Sequence, residues 1–299
     1  MNNIEKNEKL EPSLKFETGI MNSFESKFED VGSHTIHYKI REGHSNPKRT
    51  FILSHGAFGT ANFMKVLAVD LANKYPNSRI ILVDQPWHGE STSTESVKTA
   101  TVHTYAEVMS DFIGIMKKDQ KIQGKLNWIG WSMGGSIGML LDLKGVGIDE
   151  LTLLNSSPIW NSIKDLGENV PEFTQEKFVK TVFQGIVLDS LQTNISEENR
   201  NEVMSYYEKL TSSPEVMVQD VFAILPENYN IQDDLNKIES KTLIISGTED
   251  IVGEVKFQHI LNENIRNSKL KMYEDNHLLL VKPNIVKSVI EDIFNSFGE

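Results

Sequence analysis

From Thr50 onward, short apolar runs recur at intervals, and each closes in polar or glycine-rich residues before a helix-length segment begins. The runs are Phe51–Leu53, Ile80–Val83, Leu126–Ile129, Leu151–Leu154, Thr242–Ile245 and Leu270–Tyr273. A continuous apolar run bounded by turns suits a strand buried on both faces. Alternation of such runs with helices makes them neighbours in a mostly parallel sheet with helices on both sides. Helices are expected at Ala61–Lys74, Tyr105–Lys118, Met133–Leu143, Val252–Asn262 and Ile285–Phe297. Ahead of this series, Phe24–Asp30 and His34–Ile40 flank Val31-Gly32-Ser33 and read as an antiparallel hairpin. The expected fold class is therefore α/β, a doubly wound, mostly parallel sheet of about eight strands.

Two stretches depart from the rhythm. Residues 1–20 are polar and aperiodic and read as an N-terminal arm. Between residues 158 and 237 no apolar run has a βα partner, whereas Gln175–Gln184 and Glu198–Leu210 look amphipathic and helical. That stretch is expected to be a helical cap inserted into a core formed by residues 21–157 and 238–299, since a structureless loop of that length is improbable.

Composition narrows the chemistry. Acidic residues outnumber basic ones by 42 to 30, a net charge of -12 that disfavours nucleic acid and anionic membrane as partners and leaves a small molecule as the expected one. There is no cysteine, so thiolate catalysis, disulfides and thiolate-bound metal are excluded. The N-terminal residues lack the apolar core of a signal peptide, and no run approaches the roughly 18 apolar residues of a membrane helix, so a cytoplasmic location is expected.

In such a sheet ligands bind at the carboxyl ends of the strands, and the reactive side chains fall there. Gly130-Trp131-Ser132-Met133-Gly134-Gly135 turns from strand to helix at a serine. Glycines at 130 and 134 relieve the crowding of so sharp a turn and leave the Ser132 hydroxyl above the sheet at a helix N-terminus. A serine attacks only when a base removes its proton. Of the eight histidines, His277 alone follows the last strand-like run, and it is the expected base. Asp250, in Gly247-Thr248-Glu249-Asp250, is the expected orienting acid, with Glu249 its competitor; Asn155, at another strand end, offers no charge. An oxyanion needs two donors. Met133 N–H supplies one, and the loop His55-Gly56-Ala57-Phe58-Gly59 the other, through Ala57 N–H or alternatively Phe58 N–H. His55 is expected to brace that loop by hydrogen bonds. Phe58, Trp131 and Trp160 are candidates for the pocket wall. Asp84–Ser91 reads as a turn whose side chains satisfy its own backbone, with Trp87 or His88 as a further pocket candidate. His34 and His37 do not make a metal pair, because a three-residue step along a strand places them on opposite faces. No dinucleotide or phosphate-loop pattern occurs, and neither cofactor nor metal is expected.

Taken together, these motifs resemble the α/β-hydrolase superfamily over roughly residues 24–299. Ser132, Asp250 and His277 stand in the family's order of nucleophile, acid and histidine; His55-Gly56 resembles its oxyanion loop, Gly130–Gly134 its nucleophile elbow, and the helical insertion its cap. Asp84–Ser91 is similar to a further family turn, with Trp87 where the first glycine stands. The resemblance implies hydrolysis of an ester, thioester, amide or lactone through an acyl-enzyme. Serine at the nucleophile position argues against epoxide and haloalkane hydrolysis, which use aspartate there. Within the class a carboxylesterase acting on a small apolar substrate is expected. The rivals are carbon–carbon bond hydrolysis, aminopeptidase or perhydrolase chemistry, and a non-catalytic ligand-binding protein on the same fold.

Overall fold

The structure, a computed structural model, describes residues 23–43, 45–163 and 210–298. The N-terminal arm expected at residues 1–20, and the greater part of the expected cap (residues 164–209), lie outside the described residues.

Among the described residues, nine strands form one sheet: β1 (Glu25–Val31), β2 (His34–Arg41), β3 (Arg49–Ser54), β4 (Arg79–Val83), β5 (Thr92–Ser93), β6 (Lys125–Trp131), β7 (Glu150–Leu154), β8 (Lys241–Gly247) and β9 (Ser268–Tyr273). Their order is β1-β2-β4-β3-β6-β7-β8-β9, with β5 beside β2. The hairpin β1–β2 is antiparallel, and β2 joins β4 antiparallel. From β4 to β9 every pairing is parallel. Strands β3, β4 and β7 are buried along their whole length, as their continuous apolar runs require. The ninth strand, β5, has two residues and no apolar pattern, so periodicity does not announce it.

The helices are α1 (Lys65–Lys74), α2 (Val102–Lys118), α3 (Met133–Leu143), α4 (Pro214–Ile224), α5 (Val255–Asn264) and α6 (Pro283–Phe297). They divide the core between the two faces of the sheet. Phe112, Ile137 and Leu261 of α2, α3 and α5 pack in one apolar cluster; Leu71 and Ile290 of α1 and α6 pack in the other. No described helix is long and apolar enough to cross a membrane.

Four helix starts differ from expectation; α6 begins two residues early, with Pro283 in its first turn, and the other three differ for the reasons that follow. Ala61–Met64 tightens into a 3-10 turn, with Phe63 N–H on Thr60 O, before α1 begins. Helix α2 opens three residues early because Thr101 and Thr104 form a reciprocal capping box. Helix α5 starts late because the Asp250 carboxylate takes the N–H groups of Val252 and Gly253 and holds them in a turn.

Around the expected insertion, Ile159 bridges Asn230 and Ile231 N–H donates to Pro158 O. Entry and exit of the segment are thereby joined beside the end of β7. Within its described part lie α4 and a 3-10 turn at Gln232–Lys237.

Candidate active site

Strands β6, β7, β8 and β9 are consecutive in the sheet, and their carboxyl ends deliver Ser132, Asn155, Asp250 and His277. Ser132 lies between β6 and α3 with φ 53° and ψ −122°, a conformation strained for any residue with a side chain. The surrounding packing enforces it. Ser132 N–H donates to Leu154 O at 2.8 Å, and Ser156 Oγ donates to Ser132 O at 3.0 Å. A Cβ on Gly130 would stand 2.3 Å from the Gly134 backbone, and one on Gly134 would stand 2.4 Å from Ser54 O. The elbow is thus wedged against the end of β3. Gly134→Ala should lower unfolding free energy by about 3 kcal/mol or more in urea denaturation, since backbone has less room to yield than a side chain.

His277 Nε2 lies 3.0 Å from Ser132 Oγ, and His277 Nδ1 lies 3.0 Å from both carboxylate oxygens of Asp250. With Nδ1–H directed at a carboxylate, Nε2 presents its lone pair to the Ser132 hydroxyl. Asp250 is 2% exposed. Its Oδ1 accepts Val252 N–H at 2.9 Å and Gly253 N–H at 2.8 Å, and its Oδ2 accepts Asn155 Nδ2–H at 2.7 Å. Burial alone would raise its pKa, but the neighbouring His277, Asn155 and the backbone donors together hold it below the usual carboxylate range. Its competitor Glu249 is exposed.

Asn155 is the residue that sequence reasoning undervalued. Noted only as uncharged, it adopts φ 48° and donates to Asp250 from the end of the strand between the serine and the acid. The signal available was an asparagine closing a buried strand, where its tolerance of left-handed backbone is useful.

Trp131 and Trp160, at 3% and 1% exposure, are buried against His277. Trp131 stacks on Phe63 at 4.5 Å and donates from Nε1 to His277 O, while Trp160 meets the His277 ring edge-on at 6.2 Å. Phe58 is half-buried. His88, the alternative pocket residue, is fully buried, and Trp87 donates from Nε1 to Glu95 O.

The loop after β3 is braced as expected of His55. Its Nδ1–H donates to Gly56 O at 2.8 Å and its Nε2 accepts Gln85 N–H at 3.1 Å, which fixes the neutral tautomer. Burial, aided by the nearby His88 charge, pushes its pKa down to about 4. An unfolded chain takes up a proton near pH 6.5 that this site refuses until about pH 4. Stability therefore falls as pH drops through that window, by up to about 3 kcal/mol. In thermal melts, the gap between wild type and His55→Gln should narrow from pH 7 to pH 4.

Asp84–Ser91 satisfies its own turn. Asp84 accepts the N–H groups of Ala61 and Glu90, and Ser91 Oγ donates to Asp84 O. Asp84 also bonds His37 Nδ1 at 2.7 Å, and His37 Nε2 lies 2.5 Å from Ser26 Oγ. This second Ser–His–Asp chain differs from the first in its serine, which is exposed on β1 in a regular ladder instead of at a helix N-terminus.

The family model for serine aminopeptidase, S33, matches residues 45–281. A proline iminopeptidase of Lactobacillus acidophilus is 24% identical over 294 residues, covering 88% of this chain and 94% of its own. Among solved structures, a hydrolase from Pseudomonas aeruginosa superposes with a TM-score of 0.72 at 17% identity, over 92% of this chain and 98% of its own. An esterase from Exiguobacterium antarcticum gives 0.70 at 18% identity, over 91% and 98% of the two chains. The enol-lactonase of Burkholderia xenovorans gives 0.69 at 16% identity, over 91% and 100%. At such identities the structural likeness speaks for the fold alone. The match across residues 45–281 carries the assignment: the chain belongs to the serine aminopeptidase S33 family of α/β-hydrolase-fold serine hydrolases.

Proposed function

We propose that the protein is a carboxylesterase-like hydrolase that cleaves a small, apolar acyl ester through an acyl-enzyme on Ser132. The observation that carries this reading is the continuous hydrogen-bond chain from Ser132 Oγ through His277 to Asp250, with the serine held at φ 53° on a helix N-terminus. His277 Nε2 takes the serine proton as Oγ attacks the carbonyl carbon. The oxygen gains negative charge against the N–H groups of Met133 and Ala57, and neither amide has an acceptor among the described residues. Imidazolium then protonates the departing alcohol, and water repeats the sequence to release the acid. Asp250 stays ionised throughout and stabilises the imidazolium. Phe58 N–H is already engaged by Asp220 at 2.7 Å, which favours Ala57 as the second donor.

A second reading, cleavage of a residue from a free peptide N-terminus, is favoured by the family match and by the proline iminopeptidase relative. The same serine chemistry would serve, so the substrate decides. A panel of p-nitrophenyl esters of rising acyl length, run beside aminoacyl p-nitroanilides, separates the two. The expected result is ester turnover with no release from the anilides; faster release from the anilides would replace the esterase reading by the peptidase one. The expected cap and the expected cytoplasmic location remain part of this proposal. The cap would choose the acyl group.

A further inference from the structure

An amide can stabilise a developing oxyanion only if its direction is fixed before the reaction. Two hydrogen bonds fix the peptide that carries Ala57 N–H: Gly56 O accepts from His55 Nδ1 at 2.8 Å and from Gly59 N at 3.2 Å. In a trans peptide the N–H points opposite to its carbonyl, so these bonds turn Ala57 N–H away from the His55 side. The next residue is the weak point. Phe58 has φ 69°, a left-handed conformation that a bulky side chain does not hold unaided.

What holds it comes from far along the chain. Phe58 N–H donates to Asp220 Oδ2 at 2.7 Å, Ser212 N–H donates to Phe58 O at 2.8 Å, and Ser212 Oγ donates to Gly59 O at 2.8 Å. Asp220 belongs to α4 and Ser212 to the residues leading into it. The turn is therefore shaped by the described part of the expected insertion.

Asp220 is in turn locked in place. It is fully buried, its Oδ1 accepts the Tyr105 hydroxyl at 2.9 Å, and its Oδ2 lies 3.0 Å from His88 Nε2. The other His88 nitrogen faces Pro86 O at 2.8 Å. Both ring nitrogens thus have acceptors only, which is the pattern of an imidazolium. Burial, the largest influence, opposes that charge, yet the attraction and hydrogen bond of Asp220, with Pro86 O and the nearby Asp84, together outweigh it and raise the His88 pKa. A carboxylate on the buried stripe Val216, Met217, Asp220, Ala223 and Ile224 is costly unless paired, and here it is paired and fully hydrogen-bonded.

We propose that Asp220 is a positioning residue for acyl transfer. By accepting Phe58 N–H from within its buried ion pair with His88, it holds the left-handed turn that aims Ala57 N–H at the substrate oxyanion. This rests on the acyl-enzyme reading above, with Ala57 as the donor. Asp220 touches no reacting atom, and its effect falls on the transition state instead of on ground-state binding.

The test compares wild type, Asp220→Asn and Ser212→Ala in steady-state hydrolysis of p-nitrophenyl butyrate and in inhibition by phenylboronic acid, which forms a tetrahedral anionic adduct on an active serine. Loss of one oxyanion donor costs ~10²–10³ in kcat, and a loosened donor should cost less. Asp220→Asn is expected to lower kcat by about 10- to 100-fold with KM within about twofold, and to weaken boronate binding in step. Ser212→Ala, which leaves the buried pair intact, is expected to lower kcat by about 3- to 10-fold in the same pattern. A folded Asp220→Asn that keeps kcat within twofold, or changes KM alone, overturns the proposal. If Asp220→Asn does not fold, Ser212→Ala decides: a kcat loss at constant KM supports the clamp, and unchanged kcat overturns it. A wild type that neither turns over the ester nor labels at Ser132 with a fluorophosphonate overturns the acyl-enzyme reading and this proposal with it. The two failures are thus distinct.

Discussion

Ser132→Ala should lower kcat for any ester substrate by about 10⁴- to 10⁶-fold while the protein still folds. Removing Oγ deletes the nucleophile but leaves the strained backbone, which is set by Gly130, Gly134 and the bond from Ser132 N–H to Leu154 O. Alanine carries the same Cβ, so the elbow meets no new collision, and the melting temperature should stay within a few degrees. A fluorophosphonate probe should label wild type on the peptide that contains Ser132 and should fail to label the variant. The protein supplies its own control for this experiment. Ser26 forms a hydrogen-bonded chain with His37 and Asp84, so a serine–histidine–aspartate contact alone exists twice among the described residues. If contact with a base were sufficient, label would persist on Ser26 after Ser132 is removed. Its complete loss would instead tie reactivity to the helix N-terminus and its amides. Persistent labelling and undiminished turnover in Ser132→Ala would defeat the proposed mechanism.

Asp250→Asn should lower kcat by about 10⁴-fold at neutral pH, through the wrong histidine tautomer and not through lost geometry. The carboxylate accepts from Asn155 Nδ2, Val252 N–H and Gly253 N–H as well as from His277. An asparagine carbonyl would be drawn to the two fixed backbone donors, Val252 and Gly253 N–H on the Oδ1 side, which leaves its NH₂ on the Oδ2 side facing His277 Nδ1. Imidazole must then carry its proton on Nε2, donate to Ser132 Oγ, and cease to accept the serine proton. The effect should appear in kcat with little change in KM. Acidity gives an independent check. The Asp250 pKa is held below its unfolded value by His277 and the donors around it, so its contribution to stability is complete above about pH 4 and is lost as pH falls through the lower folded value. The melting-temperature gap between wild type and Asp250→Asn should accordingly shrink below about pH 4. A gap constant down to pH 2 would mean that Asp250 gains nothing from ionisation in the folded state.

Much of this site could be read along the chain because each part of it is local to a strand end. Gly130–Gly135 encodes strand, turn and helix within six residues, and α3 begins and ends where expected, at Met133 and Leu143. The runs around Phe51, Ile80, Leu126, Leu151, Thr242 and Leu270 are all strands; burial on both faces leaves an apolar signature in the inner ones, whereas the edge strand β9 alternates half-buried and exposed residues. The features that escaped have no such local signature. β5 is two polar residues recruited by β2. The late start of α5 depends on which backbone groups Asp250 claims. The contacts of Trp131 and Trp160 with His277, one a hydrogen bond to its carbonyl and one an edge-on ring contact, likewise arise only in the folded chain.

Sequence alone determined the parallel α/β core, the strained turn at Ser132 and the candidate side chains at the strand ends, because strand burial and glycine-bearing turns are short-range constraints. Tertiary structure decided how those groups are held. Asn155 bonds Asp250 only because β7 lies between β6 and β8. Asp220 reaches Phe58, 162 positions away, only because α4 packs over the turn after β3. No local pattern encodes a contact between residues so far apart. Its hint was a single carboxylate in an apolar stripe, whose partner only folding could name.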